Sequence, residues 1–499
     1  MTTSTTVLPK LSAEIVEKGA ALPERVLQFG EGGFLRGFVD WMIHGMNQKG
    51  EFNGRIAVVQ PIARGMIREL NQQNGLYTLL MRGVENGKVV ERTELINAIS
   101  RGINPYIHFA DFLACAHNAD LRFVVSNTTE AGIVYKPEDK LSDTPQASFP
   151  GKLTRFLLER YQVFQGDKSK GLVMLPCELI DRNGDKLKKA VLQMAENWAL
   201  APEFTAWVNS ACIFTNTLVD RIVTGYPKAE IGQLWEKAGY EDNLYVTSEL
   251  FHFWVIEGPE SLRAELPLEK CGFHAVFTTD MTPYRERKVR ILNGSHTGMA
   301  LGAYLAGKTF VGDCMKDPVI YSHIQKMLNE EIIPMLTLPK AELEAFAAAV
   351  LERFANPFID HELLSISLNS VSKYTARNLP ILEQYIARNG AVPKRLAFGI
   401  SALLAFYRGT EIRNGALIGD RDGDEYPIKD NHEILEWFAE AWQKYDGTAA
   451  SVSALVDAAL AQKTWWGKDL RALPGLAAVV SAQLQTILTL GAAEAFATL

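Results

Sequence analysis

A short glycine-rich stretch near the start of the chain constrains the fold more than any other feature. The apolar run RVLQFG (25–30) leads directly into a turn that contains Gly30, Gly32 and Gly37, and the helical pattern FLRGFVDWMIHGM begins inside this turn. A buried strand, a tight turn and a helix N-terminus expose backbone N–H groups, and the glycines leave space beside them. This arrangement binds a pyrophosphate, so the stretch predicts a dinucleotide-binding unit of Rossmann type. A plain tight turn is the alternative.

Candidate cofactor contacts lie in this turn and at the end of a later strand. In the turn they are Phe29, Gly30, Gly32, Gly33 and Phe34. The stretch VVSNTT places Ser126, Asn127 and Thr128 at the carboxyl end of a predicted strand. In a doubly wound sheet that edge borders the ligand crevice. Polar capping of a loop explains these three residues equally well.

The strand after the turn does not end as the dinucleotide pattern requires. An acidic residue normally stands there and holds the hydroxyls of the adenosine ribose. Here the strand 55–60 ends in Gln60, and Arg64 follows shortly after. Since an arginine nearby can accept the 2′-phosphate of NADP, the residues alone leave the choice between NAD and NADP open.

The distribution of apolar runs predicts two domains. Candidate strands at 25–30, 55–60, 121–129, 171–179 and 274–279 alternate with helical stretches, which is typical of a parallel sheet covered on both faces. After about residue 282, alanine and leucine dominate and β-rich runs become rare. We therefore predict an α/β fold, with a Rossmann-type doubly wound domain over 1–281 and a mostly α-helical substrate and catalytic domain over 282–499. The Gly- and Asp-rich segment 413–427 is predicted to be an exposed loop.

The segment RERKVRILNGSHTG (285–298) places several chemically active side chains close together. Thr282 and Pro283 suit the start of a helix. If an α-helix runs on from there, with each residue advancing about 100°, then Lys288, Asn293 and His296 fall within one arc of its surface. An ammonium, an amide and an imidazole on one face are suited to carbonyl reduction. Burial and the neighbouring arginines would lower the pKa of Lys288 toward that of a general base.

Two other interpretations of this segment stay open. Clusters of charge are most often solvated helix faces. In addition, Tyr284 and Lys288 have the Tyr-x3-Lys spacing of short-chain dehydrogenases, in which the tyrosine is the acid–base and the lysine supports it. On that interpretation Tyr284 would be the catalytic residue.

Composition and missing motifs exclude several classes of protein. The formal net charge is −7 and no basic block is present, so nucleic acid is not an expected partner. No run of about 18 apolar residues occurs, and the N-terminus lacks the pattern of a secretory signal. The five cysteines are scattered, and neither a zinc motif nor a P-loop appears. We expect a cytoplasmic protein that needs no metal and contacts no membrane.

Six segments together resemble a known family. In chain order they are FGEGGFLRGFVDW, SNTTEAGI, PCELIDRNGD, TLVDRIVTGYP, ERKVRILNGSHT and RFANP. The chain resembles the polyol-specific long-chain dehydrogenases, the mannitol dehydrogenase family. The resemblance implies a Rossmann-type and a helical domain with the active site between them, and no metal. It also implies that Lys288 is the general acid–base, that Asn293 binds the reacting oxygen, that His296 contacts substrate hydroxyls and that Asn183 is a second site asparagine.

The same resemblance implies an activity. We expect NAD as the cofactor and a small sugar acid as the substrate, with reversible reduction of tagaturonate to altronate. Fructuronate and fructose are alternative substrates, and a non-catalytic NAD-binding regulator is the alternative from another class. A sugar acid needs a cation for its carboxylate, for which Lys373 and Arg377 are the candidates. The family predicts a monomer or a small homo-oligomer.

Overall fold

The computed structural model describes residues 8–129 and 131–499. Within them the contacts divide the chain into two compact units. The first runs to Gly83 and continues over Val89–Met281, and the second consists of Val84–Lys88 and Thr282–Leu499.

The first unit mixes strands and helices. Its strands are β1 Glu24–Phe29, β2 Arg55–Val59, β3 Tyr77–Glu85 (whose last two residues group with the second unit), β4 Lys88–Ile96, β5 Ile99–Ile103, β6 Phe123–Ser126, β7 Val173–Pro176, β8 Ile213–Phe214, β9 Asn216–Asp220, β10 Val223–Gly225, β11 Val246–Ser248, β12 Phe253–Glu257 and β13 Ala275–Thr278. Its α-helices are α1 Gly33–Arg36, α2 Val39–Gln48, α3 Ile67–Gln72, α4 Phe109–Ala114, α5 Phe149–Val163, α6 Asn183–Asn197, α7 Pro202–Ala211, α8 Ile231–Ala238 and α9 Leu262–Glu265, with 3-10 turns at Cys115–His117 and Lys168–Lys170.

A six-stranded parallel sheet forms the centre of this unit. Its strand order is β5-β2-β1-β6-β7-β8, and every neighbouring pair is parallel. Numbered along the chain within this sheet, the order is 3-2-1-4-5-6, which is that of a doubly wound dinucleotide-binding fold. The order reverses between β1 and β6, so the carboxyl ends of these two strands border the crevice where such folds bind ligands. The predicted Rossmann-type fold is confirmed.

Both faces of the sheet are buried, as the continuous apolar strands predicted. In β1, Val26 packs into one hydrophobic core while Leu27 and Phe29 pack into another on the opposite face. The same alternation occurs in β2, where Val58 and Val59 belong to different cores. Helices cover both sides because a parallel sheet needs crossover connections, which here include α2, α5 and α6.

One predicted strand lies outside the central sheet. The segment 274–279 does form a strand, β13, but it pairs with β12 in a separate three-stranded sheet of order β13-β12-β9. A further four-stranded sheet has the order β10-β11-β3-β4. The apolar run of 274–279 predicted the strand correctly, but such a run carries no information about which sheet the strand joins.

The second unit is mostly helical, which confirms the prediction for the C-terminal half. Its α-helices are α10 Thr282–Arg287, α11 Gly294–Leu305, α12 Val311–Lys316, α13 Pro318–Lys326, α14 Lys340–Phe354, α15 Leu363–Ile366, α16 Ser370–Arg377, α17 Leu379–Asn389, α18 Lys394–Phe406, α19 His432–Gln443, α20 Ala449–Leu460, α21 Lys463–Trp466, α22 Leu476–Leu490 and α23 Ala492–Ala497. Two π-helical segments, Lys288–Asn293 and Met327–Ile332, and 3-10 turns at Ile333–Met335 and Leu470–Ala472 complete the helical part. The strands are β14 Ile412–Arg413, β15 Ala416–Arg421 and β16 Asp424–Ile428.

The buried helix α11 lies against neighbours that come unusually close. A Cβ on Gly298 would lie 2.8 Å from the sulfur of Met327, and one on Gly302 would lie 3.0 Å from the rings of Phe398 and Phe496. Glycines spaced four residues apart share one face of the helix, and the missing side chains allow the approach. Gly298 and Gly302 thus permit close packing of α11 against its neighbours.

The predicted exposed loop at 413–427 is wrong. This segment forms most of an antiparallel three-stranded sheet of order β14-β15-β16. Its two turns are Asn414–Gly415 and Asp422–Gly423, and all four residues have positive φ. Asn-Gly and Asp-Gly pairs with both residues in the left-handed region are the favoured two-residue connections of β-hairpins. The Gly- and Asp-rich composition therefore reflected two tight hairpin turns.

Candidate functional site

The glycine turn of the first unit has an open cradle. Gly30 has φ +122, and a Cβ there would lie 3.0 Å from the carbonyl oxygen of Asn127, so a side chain is excluded at this position. Gly32 precedes α1, and a Cβ on it would meet nothing within 4 Å. The first N–H groups of a helix lack partners within the helix and can bind an anion. The turn therefore fits a pyrophosphate group.

The neighbouring candidates in the turn contribute mainly backbone. Phe29 is fully buried, with its ring 4.9 Å from that of Phe149, so only its main chain is available to a ligand. Phe34 is partly buried and stacks on Phe38 at 5.2 Å. Gly33 lies next to Gly225 and Val223, where a Cβ would have ordinary contacts.

Two buried arginines support this turn, and the sequence analysis did not assign a role to either. Arg36 Nε donates to the carbonyl of Glu31 at 3.0 Å, and the Arg36 guanidinium also donates to the carbonyl of Leu244. Arg221, in the segment TLVDRIV, donates to the carbonyl of Gly37 at 2.6 Å and to that of Glu249. Arginine suits this task because its donors point in several fixed directions at once. These hydrogen bonds to backbone carbonyls hold the glycine turn in place.

The polar residues at the end of β6 form hydrogen bonds with the loop that follows β7. Ser126 Oγ donates to Glu178 at 3.0 Å, and Thr128 donates to the same carboxylate through its N–H and its hydroxyl, both at 2.9 Å. Asn127 Nδ2 donates to the carbonyl of Cys177 at 2.7 Å. Burial raises the pKa of Glu178, and these donors oppose that rise. The three residues thus join the loops after β6 and β7 at the crevice edge, and their contact with a cofactor stays a prediction.

The end of β2 has an unusual arrangement. Gln60 is only 2% exposed, and its amide donates to the carbonyl of Ile62 at 2.9 Å. Arg64 is exposed in the same loop. The carboxylate of Glu31, from the glycine turn, lies against this loop and accepts the N–H of Met66 at 3.2 Å.

Asn183 is buried at the start of α6, and both ends of its amide are engaged. Its Nδ2 donates to the carbonyls of Pro176, Glu178 and Thr217, at 2.9, 3.1 and 3.1 Å. Its Oδ1 accepts the N–H groups of Gly184 and Thr217, at 3.0 and 2.9 Å. These bonds fix the connection between β7, α6 and β9. A contact between Asn183 and substrate stays a prediction.

In the second unit, Lys288, Asn293 and His296 lie on one continuous helical stretch, but it is not a uniform α-helix. The segment Lys288–Asn293 is π-helical between α10 and α11. The assumed advance of about 100° per residue therefore fails between Lys288 and Asn293. The amide of Asn293 makes no hydrogen bond within the described residues and is half-buried. π-Helical insertions occur frequently at functional sites.

The cations around Lys288 have different environments. Arg285 is exposed, whereas Arg287 is buried, forms an ion pair with Glu342 and lies over the ring of Phe346 at 4.4 Å. Lys288 itself is half-buried. The segment is therefore not a uniformly solvated helix face.

Arg290 and Tyr284 also have defined neighbours. Arg290 donates to the carbonyls of Ala376 and Arg377, at 2.6 and 2.9 Å. Tyr284 is half-buried, with its ring 5.4 Å from the guanidinium of Arg287.

His296 lies at the centre of a group of bases. Its ring stacks on Phe354 with centroids 4.1 Å apart and meets the ring of His361 edge-on at 5.0 Å. Its Nε2 is buried and has no hydrogen-bond partner among the described residues. Burial lowers the pKa of His296 well below its usual value, and the nearby charges of His361, Arg353, Arg377 and Lys373 lower it further. His296 is therefore a neutral imidazole at neutral pH.

Lys373 and Arg377, the predicted carboxylate ligands, belong to this group. Both lie on α16 and are half-buried, and burial is the main cause that lowers the pKa of each. Arg377 donates to the hydroxyl of Thr297, the residue after His296, at 3.1 Å, and Lys373 donates to the carbonyl of Ile366 at 2.9 Å. The structure thus brings Lys373 and Arg377 to His296.

His361 was missed by the sequence analysis. It is half-buried in the connection between α14 and α15, and its ring makes no hydrogen bond within the described residues. A single histidine in a connection carries no periodic signal. Only the fold brings it against His296, which lies 65 positions earlier in the numbering. We call His296, His361, Lys373 and Arg377 the basic cluster.

The described residues contain neither a metal-binding group nor a membrane-spanning helix. No group of three or more histidines, cysteines or acidic residues is placed to hold a metal ion within 8–129 and 131–499. In the same part of the chain, no helix has both the length and the apolar character that a membrane crossing requires.

Comparison with known families assigns both halves of the chain. Residues 24–270 match the profile of the mannitol dehydrogenase Rossmann domain, and residues 280–488 match that of the mannitol dehydrogenase C-terminal domain. An altronate oxidoreductase of Cronobacter sakazakii is 46% identical over 482 residues, which cover 96% of this chain and 98% of that protein. An altronate oxidoreductase of Bacteroides thetaiotaomicron is 45% identical over 473 residues, 95% of this chain and 96% of the relative.

Solved structures share the fold at lower sequence identity. Mannitol 2-dehydrogenase of Pseudomonas fluorescens, in a ternary complex with NAD and D-mannitol, gives a TM-score of 0.65 at 22% identity and covers 98% of this chain and 96% of its own. A D-sorbitol dehydrogenase in substrate-free form gives a TM-score of 0.77 at 21% identity, with 95% of each chain covered.

A Rossmann-type domain with an open glycine turn, joined to a helical domain of this type, defines an oxidoreductase of the polyol or sugar-acid dehydrogenase class. Within that class, the chain belongs to the mannitol dehydrogenase family. The resemblance seen in the six sequence segments is confirmed.

Proposed function

We propose that this oxidoreductase is an NAD-dependent tagaturonate reductase, which interconverts D-tagaturonate and D-altronate with Lys288 as the general acid–base. The proposal is supported by the altronate oxidoreductases, which are about 46% identical over nearly the whole chain. It is supported independently by the chemistry of the basic cluster.

The basic cluster is the observation that carries the choice of a sugar acid. Lys373, Arg377 and His361 surround His296, and all four groups that shift the pKa of His296 electrostatically are basic. Burial and the charge of Lys373 lower the pKa of His361, so the charges of the cluster are those of Lys373 and Arg377. Arg377 lowers the pKa of Lys373, which shows that the two repel each other, and a bound anion relieves that repulsion. The carboxylate of a uronate is such an anion, and Arg377 can bind it in a bidentate fork. A neutral polyol offers no such charge, although mannitol dehydrogenases use basic residues in this region on a neutral polyol.

Asp430, an acid near Lys373, is engaged by other donors. Asp430 raises the pKa of Lys373 slightly against the effect of burial, so it is the counter-charge on that side. Its carboxylate accepts the hydroxyl of Tyr407 at 2.6 Å and the N–H groups of Asn431 and Val371, at 2.8 and 3.3 Å. Three donors therefore share this charge with Lys373.

The proposed roles follow from the chemistry of each side chain. A bound nicotinamide dinucleotide supplies the hydride. Lys288 delivers the proton to the carbonyl oxygen of the substrate as that oxygen becomes an alkoxide, and takes it back in the oxidation. The amide of Asn293 donates a hydrogen bond to the same oxygen, where negative charge develops. The neutral imidazole of His296 binds a substrate hydroxyl through Nε2, which has no partner in the described protein.

A substrate panel tests this proposal. The purified enzyme is mixed with NADH and with tagaturonate, fructuronate or fructose, and the loss of NADH absorbance is followed. We expect the highest kcat/KM with tagaturonate and the lowest with fructose. A higher value with fructose would contradict the sugar-acid assignment. Binding of NADH without turnover of any keto sugar would favour a regulator.

A further inference from the structure

The adenosine side of the proposed cofactor site lacks its usual acid. In dinucleotide-binding folds the residue at the end of the second strand is acidic and holds the ribose hydroxyls. Here that residue is Gln60, which is 2% exposed. Its amide nitrogen donates to the carbonyl of Ile62 at 2.9 Å. Gln60 carries no negative charge, so it cannot repel a 2′-phosphate as the usual acid does.

Another carboxylate reaches the same place from the neighbouring strand. Glu31 stands between Gly30 and Gly32, directly after β1, and β1 pairs with β2. Its Oε1 accepts the N–H of Met66 at 3.2 Å, across the loop that follows β2. A Cβ on Gly65 of this loop would overlap both the Glu31 carboxylate and the side chain of Gln60. The Glu31 carboxylate thus lies beside Gln60, at the position where the usual acid would stand.

The position of Glu31 is fixed by the surrounding protein. Its backbone carbonyl accepts Arg36 Nε at 3.0 Å, and Arg36 is held in turn by Tyr77, whose hydroxyl donates to the Arg36 carbonyl at 2.6 Å. The Glu31 side chain is 8% exposed, and its carboxylate accepts the backbone N–H of Met66 and its own backbone N–H. Two backbone N–H groups therefore hold the carboxylate in place, and an ionised carboxylate has further acceptor sites for a ligand.

We propose that Glu31 takes over the role of the missing acid: it accepts hydrogen bonds from the adenosine ribose hydroxyls and excludes a 2′-phosphate, which selects NAD over NADP. This inference rests on the proposed function, because it requires a dinucleotide in the glycine turn. The charge explains the selection, since a carboxylate and a phosphate repel each other at short range in a half-buried site. Arg64, exposed in the same loop, would act in the opposite sense if it bound a 2′-phosphate.

Binding measurements test the role without relying on turnover. NADH and NADPH are titrated by fluorescence against the wild-type enzyme, Glu31→Gln and a matched control, Glu196→Gln. Glu196 is an exposed acid at the C-terminal end of α6, which begins after the carboxyl end of β7 and so finishes at the opposite edge of the sheet. Loss of a charged hydrogen-bonding partner weakens binding by about tenfold or more, so the Kd for NADH should rise by that factor in Glu31→Gln and stay unchanged in the control.

NADPH should respond differently. In Glu31→Gln its Kd should stay the same or fall, so that the preference for NADH shrinks by about tenfold or more. An unchanged ratio of the two Kd values in a variant that melts like the wild type would overturn the inference.

A fragment competition needs no variant. Wild-type enzyme with bound NADH is titrated with 5′-AMP and with adenosine 2′,5′-bisphosphate, which differ only in the 2′-phosphate. We expect 5′-AMP to displace NADH at the lower concentration, and the reverse order would refute the role of Glu31. Wild-type enzyme that binds neither NADH nor NADPH would contradict the proposed function itself. Normal NADH binding and uronate turnover with an unchanged preference in Glu31→Gln would contradict only the inference.

Discussion

Replacing Arg377 with alanine should separate a sugar acid from a neutral ketose. The Arg377 side chain is half-buried on α16, and the structure gives one of its donors to the hydroxyl of Thr297 at 3.1 Å. The remaining N–H donors of the guanidinium can bind the carboxylate of a uronate. Fructose offers them no equivalent partner. We therefore expect the Michaelis constant for tagaturonate to rise much more than that for fructose.

The magnitude follows from the surroundings of Arg377. A hydrogen bond to a charged group contributes about 1.5–3 kcal/mol, which corresponds to roughly 10–150-fold in binding. Lys373 stays in place on the same helix and compensates for part of the lost charge. Arg377 is also partly solvated, which weakens the interaction further. An increase of about tenfold, close to 1.4 kcal/mol, is therefore expected for the uronate, against less than about twofold for the ketose.

The assay follows NADH absorbance at saturating NADH while each sugar is varied. If fructose is not turned over, its inhibition constant against tagaturonate replaces the Michaelis constant. Arg388→Ala is the matched control, because Arg388 is an exposed arginine on α17 that also donates to a single acceptor, the carbonyl of Pro334 at 2.8 Å. Melting curves of both variants check the fold. An equal increase for the two sugars in Arg377→Ala would refute the reasoning and leave Arg377 with a structural role.

Three further predictions test the other parts of the site and the fold. Lys288→Ala should lower kcat about 10²–10⁴-fold at unchanged NADH affinity, whereas Tyr284→Phe should have a much smaller effect. The reverse pattern in steady-state kinetics would give the acid–base role to Tyr284. Gly32→Val should fill the open cradle and raise the Kd for NADH in a fluorescence titration, and unchanged affinity in a folded variant would remove this turn from the cofactor site. Gly302→Ala should lower the free energy of unfolding by about 1–2 kcal/mol in urea titrations, because its Cβ meets two rigid rings. Gly298→Ala should cost less, because the flexible end of Met327 can move, and an equal loss in both variants would contradict this argument.

The central sheet could be predicted because its strands are buried on both faces. Such strands are continuous apolar runs, and four of the five predicted runs, 25–30, 55–60, 121–129 and 171–179, overlap β1, β2, β6 and β7 of that sheet. The hairpins needed a different signal. Asn86–Gly87 joins β3 to β4 with both residues at positive φ, as do the pairs at 414–415 and 422–423 in the second unit. These dipeptides were readable in the sequence, but the apolar pattern around them was too weak to predict strands.

The supports of the site could not be predicted, because they depend on contacts between residues far apart in the chain. Arg36 binds the carbonyl of Leu244, 208 positions away, and Arg221 binds that of Gly37, 184 positions away. Neither contact has a local pattern. The family segment TLVDRIV marked Arg221 as a member of a motif, and only the structure gives the physical reason, which is that its guanidinium holds the glycine turn.

The directions of the side chains explain why the segment before Asn293 is rich in arginine. Arg287 points into the protein toward Glu342, while Arg290 binds the carbonyls of Ala376 and Arg377 at the C-terminal end of α16. A cation at the end of a helix is favoured by the helix dipole and by the carbonyls that lack partners within the helix. Arg290 therefore fixes the helix that carries the proposed acid–base, Lys288, to the helix that carries the proposed carboxylate ligand, Arg377. In a π-helical turn the side chains do not follow the α-helical advance per residue. A sequence prediction that assumes a regular α-helix therefore could not tell which cations of the segment are structural arginines and which is the proposed acid–base lysine.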